Sequence, residues 1–128
     1  MPAVGHFTYK FHYITNLYGD LLFEQILKSK IVLNIHFYEN AILETCRINE
    51  VLSCNKLVIS EYPDNSDKDN KEFYDNLIIY YNNIDDLINK IIFYLENNEE
   101  YEKIINNNKI FMKENLNFYK NEIIKYIN

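Results

Sequence analysis

Three short apolar runs, Ile31-Val32-Leu33-Asn34-Ile35-His36, Leu57-Val58-Ile59-Ser60 and Leu77-Ile78-Ile79-Tyr80-Tyr81, restrict the folds open to this chain more than any other feature of it. They are rich in β-branched residues and lack the polar alternation of a strand with one wet face, so they predict strands covered on both sides. Buried strands of this kind occur in parallel sheets. The intervening sequence supplies the covering helices. Leu21 to Lys28 has apolar residues at spacings of three and four, with Asp20 placed as its N-cap. Asn40 can cap a helix running through Cys54, and Asn55 is placed to end it in the left-handed conformation. Ile84 to Leu95 is strongly periodic, and Glu99 to Asn107 and Lys109 to Ile127 read as two more helices that join at an Asn-rich junction. Strands and helices alternating over short connections give right-handed βαβ units. The expected fold is α/β: a Rossmann-like three-layer domain with a mostly parallel sheet and a helical C-terminus.

Two further segments complete the expected layout. His6 to Tyr13 alternates aromatic and polar residues as a half-buried strand would, within an N-terminal stretch over 1–17. Glu61 to Asn76 is a polar loop carrying Pro63 and the acidic run Asp64 to Asp69, with a short helical turn expected near Lys71 to Tyr74. Loops of that length tend to be functional or mobile. At 128 residues the chain has the length of one domain, read as spanning 1–128 with its last helix over 109–128.

Composition narrows the function classes. Apolar residues at 48% and charged residues at 25% are enough for a packed core despite the many asparagines. The net charge of −6 works against binding by counterion release, so no nucleic-acid partner is expected and any anionic ligand must be held locally. No apolar run approaches the roughly 18 to 20 residues of a membrane span, and no leader pattern opens the chain. A soluble, cytoplasmic protein with no transmembrane segment is expected. Cys46 and Cys54 fall on one expected helix, roughly 12 Å apart along its axis, beyond disulfide reach. Thiols used in this way suit a reducing compartment, and neither a CxxC pair nor a Cys/His cluster points to zinc. Asn, Ile, Lys and Tyr are abundant, tryptophan is absent and Arg47 is the only arginine, a bias expected of an A+T-rich genome. With only Gly5 and Gly19, no dinucleotide fingerprint, P-loop or serine-hydrolase elbow can be built. Asp67-Lys68-Asp69 has the form of a DxD metal motif but sits in a polar loop rather than at the end of an apolar strand, so no metal is expected. His6 and His12 would lie roughly 20 Å apart on one strand, too far to share one.

Ligands of open parallel sheets bind beyond the carboxyl ends of the strands, which directs attention to Asn34, His36 and Phe37 after the first run and to Ser60 and Glu61 after the second. The helix between those strands starts at the same edge. Its first free N–H groups, near Ala41 to Leu43, could receive an anion without a basic side chain. Winding that helix at about 100° per residue turns Thr45, Asn49 and Ser53 to water and sets Arg47 and Glu50 among Leu43, Cys46, Val51 and Cys54. A semi-buried Arg47 and Glu50 are expected, and burying charge is costly unless it is paired or used by a ligand. Spacing alone serves either a ligand site or an ion pair of Arg47 with Glu50 or Glu44 that fixes the helix on the sheet.

The run Glu44-Thr45-Cys46-Arg47-Ile48-Asn49-Glu50-Val51-Leu52-Ser53-Cys54-Asn55-Lys56-Leu57-Val58-Ile59-Ser60 resembles the R-x-x-E-x-L-(A/S)-C-G-x-x-V-I-S helix and strand of the nucleotide-sugar-binding, C-terminal half of GT-B glycosyltransferases, above all the spore-protein-like branch related to group 1. Ile26 to His36 is similar to that family's K-S-K-I-x-L-N-x-H strand and the helix before it, and the order of the later elements follows the family over roughly residues 18 to 115. The resemblance implies a nucleotide-sugar-binding domain, a hexosyltransferase-like enzyme if a partner domain or chain completes it. It makes Glu50 the ligand of the ribose hydroxyls and Arg47 an orienting or phosphate-side cation. Asn34, His36, Glu39, Asn40 and Ser60 complete the implied donor cleft. No cofactor beyond the donor substrate is implied. Asn55 replaces the usual glycine, and the position of the second glutamate in the E-x7-E spacing of many group 1 enzymes is held by Ile42, with Glu39 or Glu44 as substitutes. Because a GT-B cleft lies between two Rossmann-like domains and this chain supplies one, the partners implied are an acceptor-domain chain or a homodimer. The competing expectation is a degenerate, non-catalytic domain that serves as a binding or oligomerisation module through an exposed sheet edge.

Overall fold

Each apolar run forms a strand, and the three pair side by side in sequence order. The computed structural model describes residues 17–36 and 38–127, so the strand expected over His6 to Tyr13 lies outside them. Strand β1 (Ile31–Asn34), β2 (Leu57–Glu61) and β3 (Ile79–Tyr81) make a parallel sheet in which Ile31 stands opposite Leu57, Asn34 opposite Ser60 and Glu61 opposite Tyr81. Helices α1 (Gly19–Lys28), α2 (Thr45–Ser53) and α3 (Lys68–Tyr74) precede the three strands in turn, and α4 (Ile84–Glu96) and α5 (Asn98–Ile127) follow them.

Period-two alternation along the strands divides the core between the two faces of the sheet. Val58 and Tyr80 point to one side, where they meet Ile26 of α1, Ile48, Val51 and Leu52 of α2, and Tyr74 of α3. Leu57, Ile59 and Tyr81 point to the other, against Leu87 of α4 and Tyr101 and Ile105 of α5. The result is the expected three-layer, Rossmann-like α/β arrangement with a helical C-terminus. Strand β2 lies in the middle of the described sheet. Leu57 and Ile59 are wholly buried, each contributing about 1.5 to 3 kcal/mol by the removal of its side chain from water.

Polar groups fix the helices on this sheet. Lys90 of α4 donates to the carbonyl of Tyr80 at 2.6 Å and pairs with Asp86 at 3.0 Å. The Tyr101 hydroxyl donates to the carbonyl of Lys30 at 2.7 Å, and the Lys30 ammonium sits 4.7 Å from the Tyr101 ring centre. Helix α2 ends as expected: Asn55 takes φ 58°, Asn55 N–H reaches the Leu52 carbonyl at 3.0 Å and Lys56 N–H that of Val51 at 3.4 Å, the two bonds of a Schellman cap.

Four expectations are corrected. Helix α1 begins at Gly19 after Tyr18, so Asp20 lies in its first turn, where it complements the helix dipole, and is not the cap. Helix α2 begins at Thr45 rather than after Asn40. Asn40 is itself left-handed at φ 58°, and the chain over 41–43 is held by the later acidic loop: Asp64 N–H donates to the Ala41 carbonyl and Leu43 N–H to Asp67 Oδ2, both at 2.8 Å. Among the described residues the first run is not covered on both sides, since β1 lies at an edge of the described sheet and Leu33 and Ile35 remain 37% and 52% exposed. The last two helices are one continuous α5 of 30 residues, about 45 Å long. Its asparagines do not break it, because Asn108 is buried and its Nδ2 donates to the Leu77 carbonyl at 2.9 Å. Among the described residues no helix is long and apolar enough to cross a membrane.

Candidate functional site

Parallel register brings the carboxyl ends of β1 and β2 together, so the last residues of the two strands share one edge. Asn34 and Ser60, cross-strand partners at 1% and 0% exposure, are joined by a 3.0 Å hydrogen bond from Asn34 Nδ2 to Ser60 Oγ. The same Nδ2 donates to Glu44 Oε2 at 2.7 Å, and Asn34 Oδ1 accepts from Arg47 Nη1 at 3.3 Å. Two residues further on, His36 Nδ1 lies 2.9 Å from Glu44 Oε1 and its Nε2 lies 3.0 Å from the Tyr62 carbonyl. Both ring nitrogens thus face oxygen atoms, one of a carboxylate and one of a backbone carbonyl. His36 N–H donates to Glu61 Oε2 at 3.3 Å, and the Tyr81 hydroxyl donates to Glu61 Oε1 at 3.0 Å. The polar chain therefore runs from Arg47 through Asn34, Glu44, His36 and Glu61 to Tyr81, along the ends of all three strands.

Glu44 is the hub of that chain. It occupies the N-cap position of α2 without capping it, because its carboxylate is turned to His36 and Asn34. Burial works to raise its pKa, but hydrogen bonds from His36, Asn34 and its own backbone N–H outweigh this and hold it below the ordinary carboxylate value. Sequence reasoning weighed Glu44 only as an ion-pair partner for Arg47 or a substitute sugar ligand. Its place at the first turn of the helix, ten residues after Asn34, was the available signal. The Tyr81 hydroxyl is pushed up to about 12, first by burial and then by its hydrogen bond to Glu61, so it stays a donor at neutral pH.

The seven expected site residues do not all come together. Asn34, His36, Arg47 and Ser60 are brought into one network. Glu39 and Asn40 are exposed on the preceding turn and, among the described residues, make no side-chain hydrogen bond to it. Arg47 is exposed rather than semi-buried, since its guanidinium reaches back over the strand end to Asn34. Glu50 is half-buried, as expected, in the middle of α2. Among the described residues neither Arg47–Glu50 nor Arg47–Glu44 comes within the 4.0 Å of an ion pair. Thr45 is half-buried, while Asn49 and Ser53 are exposed as the wheel required, and the Tyr74 hydroxyl donates to Asn49 Oδ1 at 2.6 Å. Leu43 N–H, one of the groups expected to receive an anion, is taken by the Asp67 carboxylate, which also accepts from Asn70 Nδ2 at 2.8 Å.

A family model described as "Glycosyl transferase-like" matches residues 3–121, nearly the whole chain. The chain belongs to this glycosyltransferase-like family. Comparison with curated proteins and with solved structures gives no match. The polar edge just described lies at the carboxyl ends of the parallel strands, the side on which open α/β sheets bind their ligands. The two thiols of this domain, Cys46 exposed and Cys54 half-buried, are both free.

Proposed function

We propose that this glycosyltransferase-like chain is the nucleotide-sugar-binding half of a GT-B enzyme of the spore-protein-like branch, with the acceptor side supplied by a second domain or chain. The observation that carries this reading is the state of the two charged side chains on α2. Glu50 is half-buried and has no ion-pair partner among the described residues, and Arg47 is spent on a single hydrogen bond to Asn34. A carboxylate partly removed from water without a cation has a desolvation cost that ribose hydroxyls would offset. Arg47, solvent-facing at the strand ends, is the cation for the diphosphate. Asn34 and Ser60 are too deeply buried to touch a ligand directly, so in this reading they position Arg47, Glu44 and His36. Glu39 and Asn40, on the exposed turn, line the outer lip.

Binding is expected to need no metal ion, because the Asp67 carboxylate is already committed to Leu43 N–H and Asn70. The experiment is calorimetry with UDP, GDP, ADP and their glucose conjugates, with and without EDTA, on the parent chain and on Glu50→Gln. One nucleotide series should bind. Glu50→Gln should weaken it by about 1.5 to 3 kcal/mol, the range for a hydrogen bond to a charged group, with the urea midpoint little changed. No binding of any nucleotide, or binding indifferent to Glu50→Gln, would overturn the proposal. Loss of binding on chelation that manganese restores would overturn its metal-free form.

A further inference from the structure

The side of β1 that faces away from β2 is a pairing edge among the described residues, and Ile31 to Leu33 carries neither a charge nor a proline to blunt it. Ile31 and Leu33 alternate onto the sheet face that packs against α4. There a groove of about 360 Å³ is lined by Ile31 and Leu33 of β1 and by Ile91 and Leu95 of α4. Ile88 and Ile92, on the same stripe of α4, continue this apolar surface at 37% and 40% exposure.

Crossover handedness selects the occupant of that edge. Helices α1, α2 and α3 contribute Ile26, Ile48 and Tyr74 to one and the same face of the sheet. Through α2 and α3 the chain steps from β1 to β2 to β3 in a single direction. A strand that feeds α1 on that face keeps the right-handed crossover, obeyed by about 98% of βαβ units, only if it lies one step before β1, on the open side. Helix α1 is separated from β1 by Ser29 and Lys30 and returns antiparallel to it, so α1 starts near the carboxyl end of β1, and a strand ending there runs parallel to β1. Residues 6–13 have the matching pattern. Phe7, Tyr9, Phe11 and Tyr13 recur at period two, the segment reaches about 26 Å when extended, and residues 14–18 are enough for a turn into α1. The family match begins at residue 3, which counts this segment within the same domain.

We infer that residues 6–13 dock on the free edge of β1 as a fourth, parallel strand, with their aromatic face in the Leu33–Ile91–Leu95 groove. The inference goes beyond the nucleotide reading and does not depend on it. It bears on partners, because it fills the edge on which an oligomerisation module would rely and directs a partner domain to the carboxyl ends of the strands.

The test is methyl NOE spectroscopy on the full chain. Ring protons of Phe7, Tyr9, Phe11 or Tyr13 should give NOEs to the methyl groups of Leu33, Ile91 and Leu95. In a mixture of perdeuterated, methyl-protonated chain with fully protonated chain these NOEs should vanish, because each segment lies on its own sheet. NOEs that persist in the mixture would seat a second copy in the groove and overturn the inference, as would their absence from the parent chain. Hydrogen exchange gives a second reading. Successive N–H groups of a strand point to opposite sides, so of Tyr9→Pro and Lys10→Pro one removes a donor to β1 and the other does not. One of the two should speed exchange of the β1 amides that do not bond to β2 by about tenfold or more, while β2 and β3 stay protected. Exchange in β1 unchanged by either proline overturns the docked strand.

Discussion

His36 and Glu44 are joined at 2.9 Å with only 6% of the histidine side chain and 27% of the glutamate exposed, which closes the end of β1 onto the start of α2. Because the folded-state pKa of Glu44 is depressed, its contribution to stability is fully present above its ordinary value of 4.5 and is lost as the pH falls through the lowered value. Urea midpoints followed from pH 7 down to acid should therefore drop for the parent chain. Glu44→Gln should start about 1 to 3 kcal/mol lower at neutral pH and lose less on acidification. Parallel pH profiles for the two proteins would show that the pair contributes nothing.

Asn34 donates from one nitrogen to both Ser60 and Glu44 and accepts from Arg47, at a site with 1% exposure. Asn34→Asp has nearly the same shape but sets a second carboxyl where a donor stood, 2.7 Å from Glu44 Oε2. Two carboxylates so close cannot both ionise cheaply, so one must keep its proton. The variant should lose about 2 to 4 kcal/mol at pH 7 and recover part of it near pH 4 to 5, opposite in slope to the parent. Circular dichroism melts at the two pH values give the sign directly.

At Asn55 the backbone has φ 58°, where glycine meets no steric penalty and asparagine a modest one. Asn55→Gly should be neutral or stabilising by up to about 1 kcal/mol, whereas Asn55→Ala should cost about 1 kcal/mol. If alanine is tolerated as well as glycine, the Schellman cap is not what ends α2.

The division between what could be read from sequence and what could not follows the range of the interactions. Strand β2, the three-layer order and the Asn55 cap depend on local composition or on neighbours a few residues away, and periodicity reports those well. The start of α2 was misread because Leu43 N–H is claimed by Asp67, a partner 24 residues later that no local pattern announces. The two-helix reading of the C-terminus failed at Asn108 for the same reason, since an asparagine that looks like a junction is held inside α5 by the Leu77 carbonyl 31 residues back. Leu33 and Ile35 carry the apolar residues of a buried strand yet sit at an edge of the described sheet, and strand composition does not record neighbour count. At the site, His36, Asn34 and Ser60 follow from the rule that strand ends make clefts. Glu61 follows from the same rule, but Glu44 does not, because its place in the network rests on contacts to Asn34 and His36 that only the fold creates.

Arg47 gives the sharpest separation between scaffold and ligand roles. It is exposed and makes one long hydrogen bond of 3.3 Å, so Arg47→Met should change the unfolding free energy in urea by less than about 0.5 kcal/mol. Glu50→Gln should be equally mild for folding, because no cation is stranded when its charge is removed. In nucleotide binding the two should diverge from that silence. Arg47→Met should weaken nucleotide diphosphates about tenfold, equivalent to about 1.4 kcal/mol, and affect the free nucleoside hardly at all, since the guanidinium meets phosphate and not ribose. Glu50→Gln should weaken diphosphate and nucleoside alike. The double mutant should show losses close to additive, as expected of two side chains that touch different parts of one ligand and not each other. A large stability loss in each single mutant, recovered in the double, would instead mean that the two charges pair in solution and that α2 carries a structural ion pair.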